Sequence, residues 1–175
     1  MFHWSLAVFF ILAYVLGNEW PALHSHAGYT ILLLVMFRLV WGFWGTEYAR
    51  FAQFVPIIFT FKTYIIQLLR GKSEHFMGHN PAGSAMTVAL LTSLVITAIS
   101  GTILFAMEGQ GPLANTPVAL WNDRWTVDIH HLFSDLTLGL ISVHVIGVLM
   151  TIILKRENLI LAMITGKKSR KDSES

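Results

Sequence analysis

No cysteine occurs in the chain, which removes thiolate iron–sulfur clusters, thiolate zinc sites and disulfide staples together. Charge is scarce too: 13% of the 175 residues are Asp, Glu, Lys or Arg, against 54% hydrophobic. A soluble helical bundle needs polar helix faces, and the four long apolar runs, roughly 2–17, 23–44, 83–107 and 127–154, do not supply them. The first run, MFHWSLAVFFILAYVLG, lacks the basic start and the small-residue cleavage site of a signal peptide. What is left is an all-α integral membrane protein, a four-helix transmembrane bundle in one domain spanning 1–175.

The few basic residues are unevenly placed. A sequence pI of about 9.1 would suit nucleic acid, but Lys and Arg sit in loops and tail, where membrane topology accounts for them. The 45–82 stretch holds Arg50, Lys62, Arg70 and Lys72, and the tail holds Lys155, Arg156, Lys167, Lys168, Arg170 and Lys171. The other side has Arg124 alone. The positive-inside rule therefore places both termini in the cytoplasm of a bacterial inner membrane, with 108–126 as an irregular outer loop and 155–175 as a cytoplasmic tail. Within 46–82, residues 55–70 (VPIIFTFKTYIIQLLR) read as an interfacial helix or a buried re-entrant segment.

Histidine, by contrast, is plentiful: eight in a small membrane chain, several of them within spans, where ionisable groups are costly and usually functional. His130 and His144 are fourteen residues apart, so they share a helix face, about 40° apart, with roughly 21 Å of rise between them. His3 opens the first helix, and His24 and His26 open the second. Two cross-helix pairs follow at two depths: His3 with His144 toward the cytoplasm, and His24 or His26 with His130 toward the outside. A lone histidine at a helix end is usually a hydrogen-bonding group. Matched pairs at two depths suit axial ligation of haem, which needs an imidazole on each side of a flat slot. Small residues about one turn from each ligand open such slots: Ala7 after His3, Gly28 after His24, Ser134 after His130, Gly147 after His144. Tyr29 and Thr30 take those offsets after His26, which favours His24.

Arg38 returns to the face of His24 fourteen residues later, at the depth of the inner site. There it either meets an anion, such as a haem propionate, or snorkels to cytoplasmic headgroups. His75, His79 and His131 are expected to be non-ligands, with His79 in the GHNP turn placed to contact a propionate or a quinone.

The same residues resemble the bacterial cytochrome b561 family, in the branch that includes the membrane cytochrome b subunit of nickel–iron hydrogenases. The resemblance covers nearly the whole chain. It is carried by HW at 3–4, HSHAGY at 24–29, FRLVWGFWGTEYARF at 37–51, GHNPAG at 78–83, GPLA at 111–114, the two histidines at 130 and 144, HVIGV at 144–148 and RENLILAMITGKK at 156–168. It implies a four-helix, di-haem b-type cytochrome whose ligands come one each from the first and second helices and two from the fourth. The family's HxxxG motif falls on His24 and Gly28, and its fourth-helix pair on His130 and His144. Relatives usually carry a short polar preamble with an arginine before HW. Here Met1 and Phe2 alone precede His3, so either the true start lies upstream or the inner haem has lost part of its support, leaving one haem instead of two.

The function so implied is electron transfer across the membrane, between a quinone pool and a periplasmic redox partner, a hydrogenase subunit or a c-type cytochrome. No nucleophile–base pair or carboxylate dyad appears, which suits a carrier or a subunit of an oxidoreductase more than a self-contained enzyme. Lipid surrounds it, a second copy of the chain is a candidate partner, and nucleic acid is not. The rival is a histidine-containing metal or proton transporter, which calls for carboxylates in the spans and broken helices at mid-membrane; Asp135 near His130 is nearly all the chain offers. A structural anchor with vestigial haem sites is a third reading.

Overall fold

A computed structural model describes residues 2–17, 19–45, 81–121 and 124–155. Among the described residues there is no strand. Four α-helices account for nearly all of them: α1 Phe2–Leu16, α2 Pro21–Trp44, α3 Pro81–Met107 and α4 Arg124–Lys155. The segment expected at the cytoplasmic interface, the GHNP turn with His79, and the tail beyond Lys155 lie outside the described residues.

Each boundary has a local cause. Proline opens both α2 and α3, where its fixed φ suits the first turn and its missing N–H costs no helical hydrogen bond. Both helices therefore start two residues earlier than their apolar runs. At the far end of α2, Gly45 closes the helix with its N–H on the Trp41 carbonyl at 2.8 Å. The end of α3 is a Schellman motif: Gly109, at φ 73°, donates to the Ala106 carbonyl at 2.9 Å, and Gln110 donates to the Phe105 carbonyl at 3.0 Å. The loop expected to be irregular is partly ordered by this cap and by a 3-10 turn at Pro117–Leu120. α4 begins at Arg124, three residues before the apolar pattern does, because helical backbone continues past the apolar run into more polar residues.

Length separates α1 from the rest. Among the described residues, three helices are long and apolar enough to cross a membrane. The 15 residues of α1 rise about 22 Å, short of a hydrocarbon core of about 30 Å. The 32 residues of α4 rise about 48 Å and overreach it. Large apolar side chains cover the outside, Leu33, Phe43 and Ile153 among them, as expected where lipid is the solvent.

Helix contacts are uneven. The close seams are α1 with α2, α2 with α3, and α3 with α4. A tight apolar centre joins Phe10 and Ala13 of α1, Ala27, Ile31 and Val35 of α2 and Leu94 of α3. The α3–α4 seam instead holds a buried polar tie: Ser93 Oγ and Thr137 Oγ1 lie 2.6 Å apart, and Ser93 Oγ also donates to the Phe133 carbonyl at 3.2 Å. α4 forms no such seam with α1 or α2. It stands off from them, and the residues that reach across that gap are largely the ones singled out in the sequence.

Candidate functional site

Two imidazole pairs bridge the gap. The rings of His24 on α2 and His130 on α4 have centroids 6.0 Å apart, with planes at 81°. Those of His3 on α1 and His144 on α4 are 6.2 Å apart, at 50°. With metal–imidazole bonds of about 2 Å and roughly 1 Å from ring nitrogen to ring centre, two axial ligands of one iron stand about 6 Å apart centre to centre. Both pairs have that spacing. The pairs are separated by the His130–His144 rise of about 21 Å along α4.

At the first pair the backbone fixes the tautomer. His24 Nδ1 lies 2.8 Å from the Ala13 carbonyl, one of the last four carbonyls of α1, which have no partner within their own helix. A carbonyl only accepts, so Nδ1 carries the proton and Nε2 keeps the lone pair. His130 repeats the arrangement on α3, with Nδ1 3.0 Å from the Thr97 carbonyl and 3.2 Å from Ser100 Oγ. Both rings thus present Nε2 as the basic nitrogen, the form a metal binds. His3 and His144 make no such hydrogen bond among the described residues; a tilted ring contact is what relates them, with His3 also edge-on to Trp4 at 5.7 Å.

Space for a flat group lies beside the first pair. A cavity of about 530 Å³ is bounded by His24, His130, Gly101, Ser134, Glu108 and Asp135. A smaller one of about 80 Å³ continues inward past Gly28, Tyr29 and Ile31. Three observations match these walls to a tetrapyrrole. A Cβ at Gly101 would stand 2.8 Å from His130 Cε1, so glycine is what lets the ring seat there. A Cβ at Gly28 would meet nothing within 4 Å, so it faces open space. The Tyr29 hydroxyl is buried without a hydrogen-bond partner, an unmet donor beside the cavity that a propionate or a water would satisfy. Across the mouth, the Tyr14 hydroxyl donates to Asp135 Oδ1 at 2.9 Å, tying α1 to α4.

The remaining expected residues are placed as follows. His26 turns back to its own helix, with Nδ1 2.6 Å from the Ala22 carbonyl, and among the described residues it forms no pair with another histidine. His131 is exposed on the cavity rim, edge-on to His130 at 6.2 Å. Ser134 lines both cavities, and its hydroxyl donates to the His131 carbonyl at 2.8 Å. Gly147, one turn beyond His144, has open space where a Cβ would be. Arg38 is half-buried on the α2 turn whose Phe37 ring meets that of Phe2 at 6.3 Å, which sets it near the level of His3. His79 is outside the described residues.

The family model of the prokaryotic cytochromes b561 matches residues 1–166. The chain belongs to that family. Among similar curated proteins are three probable Ni/Fe-hydrogenase B-type cytochrome subunits. That of Bradyrhizobium diazoefficiens is 23% identical, covering 97% of this chain and 83% of the relative. That of Azotobacter vinelandii is 25% identical (98% and 86%). The hydrogenase 1 subunit of Escherichia coli K12 is 23% identical (98% and 88%). No solved structure matches the chain. As a b-type cytochrome the protein takes haem b, its helices make it multi-pass in the membrane, and its role is membrane electron transfer.

Sequence reasoning missed the α3 contributions. Thr97, Ser100 and Gly101 all meet His130, yet α3 bears no histidine to draw attention to it. Its many small residues read simply as close packing, and the signal was the glycine within them.

Proposed function

We propose that the chain is a di-haem b-type cytochrome, with one haem held by His24 and His130 and the other by His3 and His144. The observation that carries this is the occurrence of two imidazole pairs, each about 6 Å centre to centre, at two levels of the same helix. When bound, haem supplies a reversible one-electron iron couple. The protein's own residues do the rest. His24 and His130 are held as Nδ1–H tautomers by the carbonyls of Ala13 and Thr97, Gly28 and Gly101 keep the slot clear, and Ser134 lines it. At the other level a Cβ at Gly147 would meet open space, and Arg38 is a cation near that level that suits a propionate.

The count of Lys and Arg sets the direction across the bacterial inner membrane, with both termini in the cytoplasm and the His24–His130 level toward the periplasm. Electrons then pass between a periplasmic redox protein and a quinone pool. The names of the relatives favour a hydrogenase as the periplasmic partner; a c-type cytochrome is the alternative. His79 is a candidate contact for a propionate or a quinone near the cytoplasmic surface. The transporter reading calls for carboxylates beside the histidines, and Asp135 and Glu108 do line the His24–His130 cavity, but among the described residues no three His, Asp or Glu side chains gather as a metal site.

An absorption spectrum of detergent-purified protein, with a pyridine haemochrome assay, tests the proposal. Low-spin b-type bands with about two haems per chain are expected. One haem would remove the His3–His144 site from the account, and no haem in protein made with ample haem supply would overturn it.

A further inference from the structure

The two histidine pairs sit in opposite electrostatic surroundings. Asp135 and Glu108 line the cavity at His24 and His130, and among the described residues no Lys or Arg lines it. The sequence between α1 and α2 and around the start of α4 repeats the sign: Glu19, Asp123 and Asp128 with Arg124 alone opposed. Counting Glu108 and Asp135, these make five carboxylates against one cation. In the sequence, Arg38, the 46–80 stretch, Lys155 and the residues after it hold eleven Lys and Arg against five carboxylates. Exposed charges far from a site are screened over about 8 Å at physiological salt, so the two carboxylates on the cavity wall dominate.

Ligand hydrogen bonding adds to the same difference. His24 and His130 both donate Nδ1–H to backbone carbonyls, which makes an imidazole a stronger electron donor to a metal. His3 and His144 make no such bond among the described residues. Negative charge and electron-rich ligands both stabilise the oxidised iron over the reduced.

From these placements we propose that the His24–His130 site is the lower-potential of the two, and that Asp135 and Glu108 are the residues that lower it. The inference rests on the di-haem reading above. The Tyr14 hydroxyl ties the Asp135 carboxylate at the cavity mouth, but the charge of the carboxylate, and not the tie, lowers the potential. An electron delivered at this end then moves downhill toward the His3–His144 site, and the protein's own charge distribution sets that slope.

A potentiometric titration of the purified di-haem protein, followed by optical and low-temperature EPR spectra, tests this. Two waves are expected, and in His3→Ala, which keeps His24 and His130, the surviving wave is the lower one. Asp135→Asn retains an acceptor for Tyr14 and removes the charge. It is expected to raise the lower wave alone, shifting electron sharing between the sites by up to about tenfold, or 59 mV for a one-electron couple. Glu108→Gln, which neutralises the other carboxylate on the same cavity wall, acts in the same direction. Asp135→Glu restores the low value, and Tyr14→Phe, which keeps the charge and drops the tie, does not raise it. Survival of the upper wave in His3→Ala, or an Asp135→Asn protein whose lower wave stays fixed, overturns the proposal. The Asp variants are read in the full di-haem chain, so they decide the matter even if His3→Ala loses all its haem. Wild-type protein with fewer than two haems would instead overturn the underlying reading, which the haem assay reports separately.

Discussion

The two histidine pairs share one helix and one ring spacing, yet they are built differently. At the His24–His130 level each imidazole is held from behind by a neighbouring helix, α1 for His24 and α3 for His130. At the His3–His144 level the rings meet across the gap with no such hold among the described residues, and His3 lies in the first turn of a 15-residue helix. Ligand geometry is fixed by the groups behind the ligand. A pair with carbonyls behind both rings is pre-organised. A pair without them depends on its cofactor to hold it.

That contrast is broken most directly at the ligands. His130→Ala is expected to abolish haem at its own level and leave the other, halving the haemochrome yield; His144→Ala is expected to halve it from the other side. Next in size is Gly101→Leu. Its side chain would occupy the place of the His130 ring, since even a Cβ comes within 2.8 Å of Cε1. Haem at the first level should fall severalfold with that at the second unchanged, and matching losses at both levels would point to general misfolding instead.

The α3–α4 tie should matter less. Thr137→Val leaves Ser93, 2% exposed, without its partner at 2.6 Å, at an expected cost of about 1 kcal/mol. The measurement is thermal loss of the haem spectrum in detergent, with both sites weakened together because α4 carries one ligand of each. Smallest is Ser100→Ala. The Thr97 carbonyl still accepts from His130 Nδ1, so haem content should stay at the wild-type level and the midpoint should change by less than the equivalent of about 1 kcal/mol. A loss of haem on that change would mean that the hydroxyl, and not the carbonyl, seats the ring.

Much of this arrangement is legible in the sequence, for physical reasons. Long apolar runs give four helices and their order, and prolines at 21 and 81 explain why two of them start early. The fourteen-residue spacing of His130 and His144 survives any small error in helix ends, because both lie within a single uninterrupted helix. The pairing of rings across the gap follows from which end of each helix bears a histidine. Other features depend on the rotation of one helix against another, which periodicity in an all-round apolar helix does not encode. That is why Gly101, Thr97 and Ser100 were hidden, and why the carbonyl of Ala13, a backbone group, left no trace in the residue pattern. Order in the loop after α3 was hidden too. It comes from Gly109 and Gly111 at positive φ, and glycine alone does not reveal whether a loop is capped or loose.

The central claim is that each pair of imidazoles holds its own haem. The most direct measurement is haem per chain in three proteins purified side by side: wild type, His24→Ala and His3→Ala. The account predicts about two, one and one, with the residual haem in the two variants distinguishable by its EPR signal. Equal haem in all three, or complete loss in both variants while wild type binds two, would contradict it: the first because the histidines are not the ligands, the second because the sites are not separate.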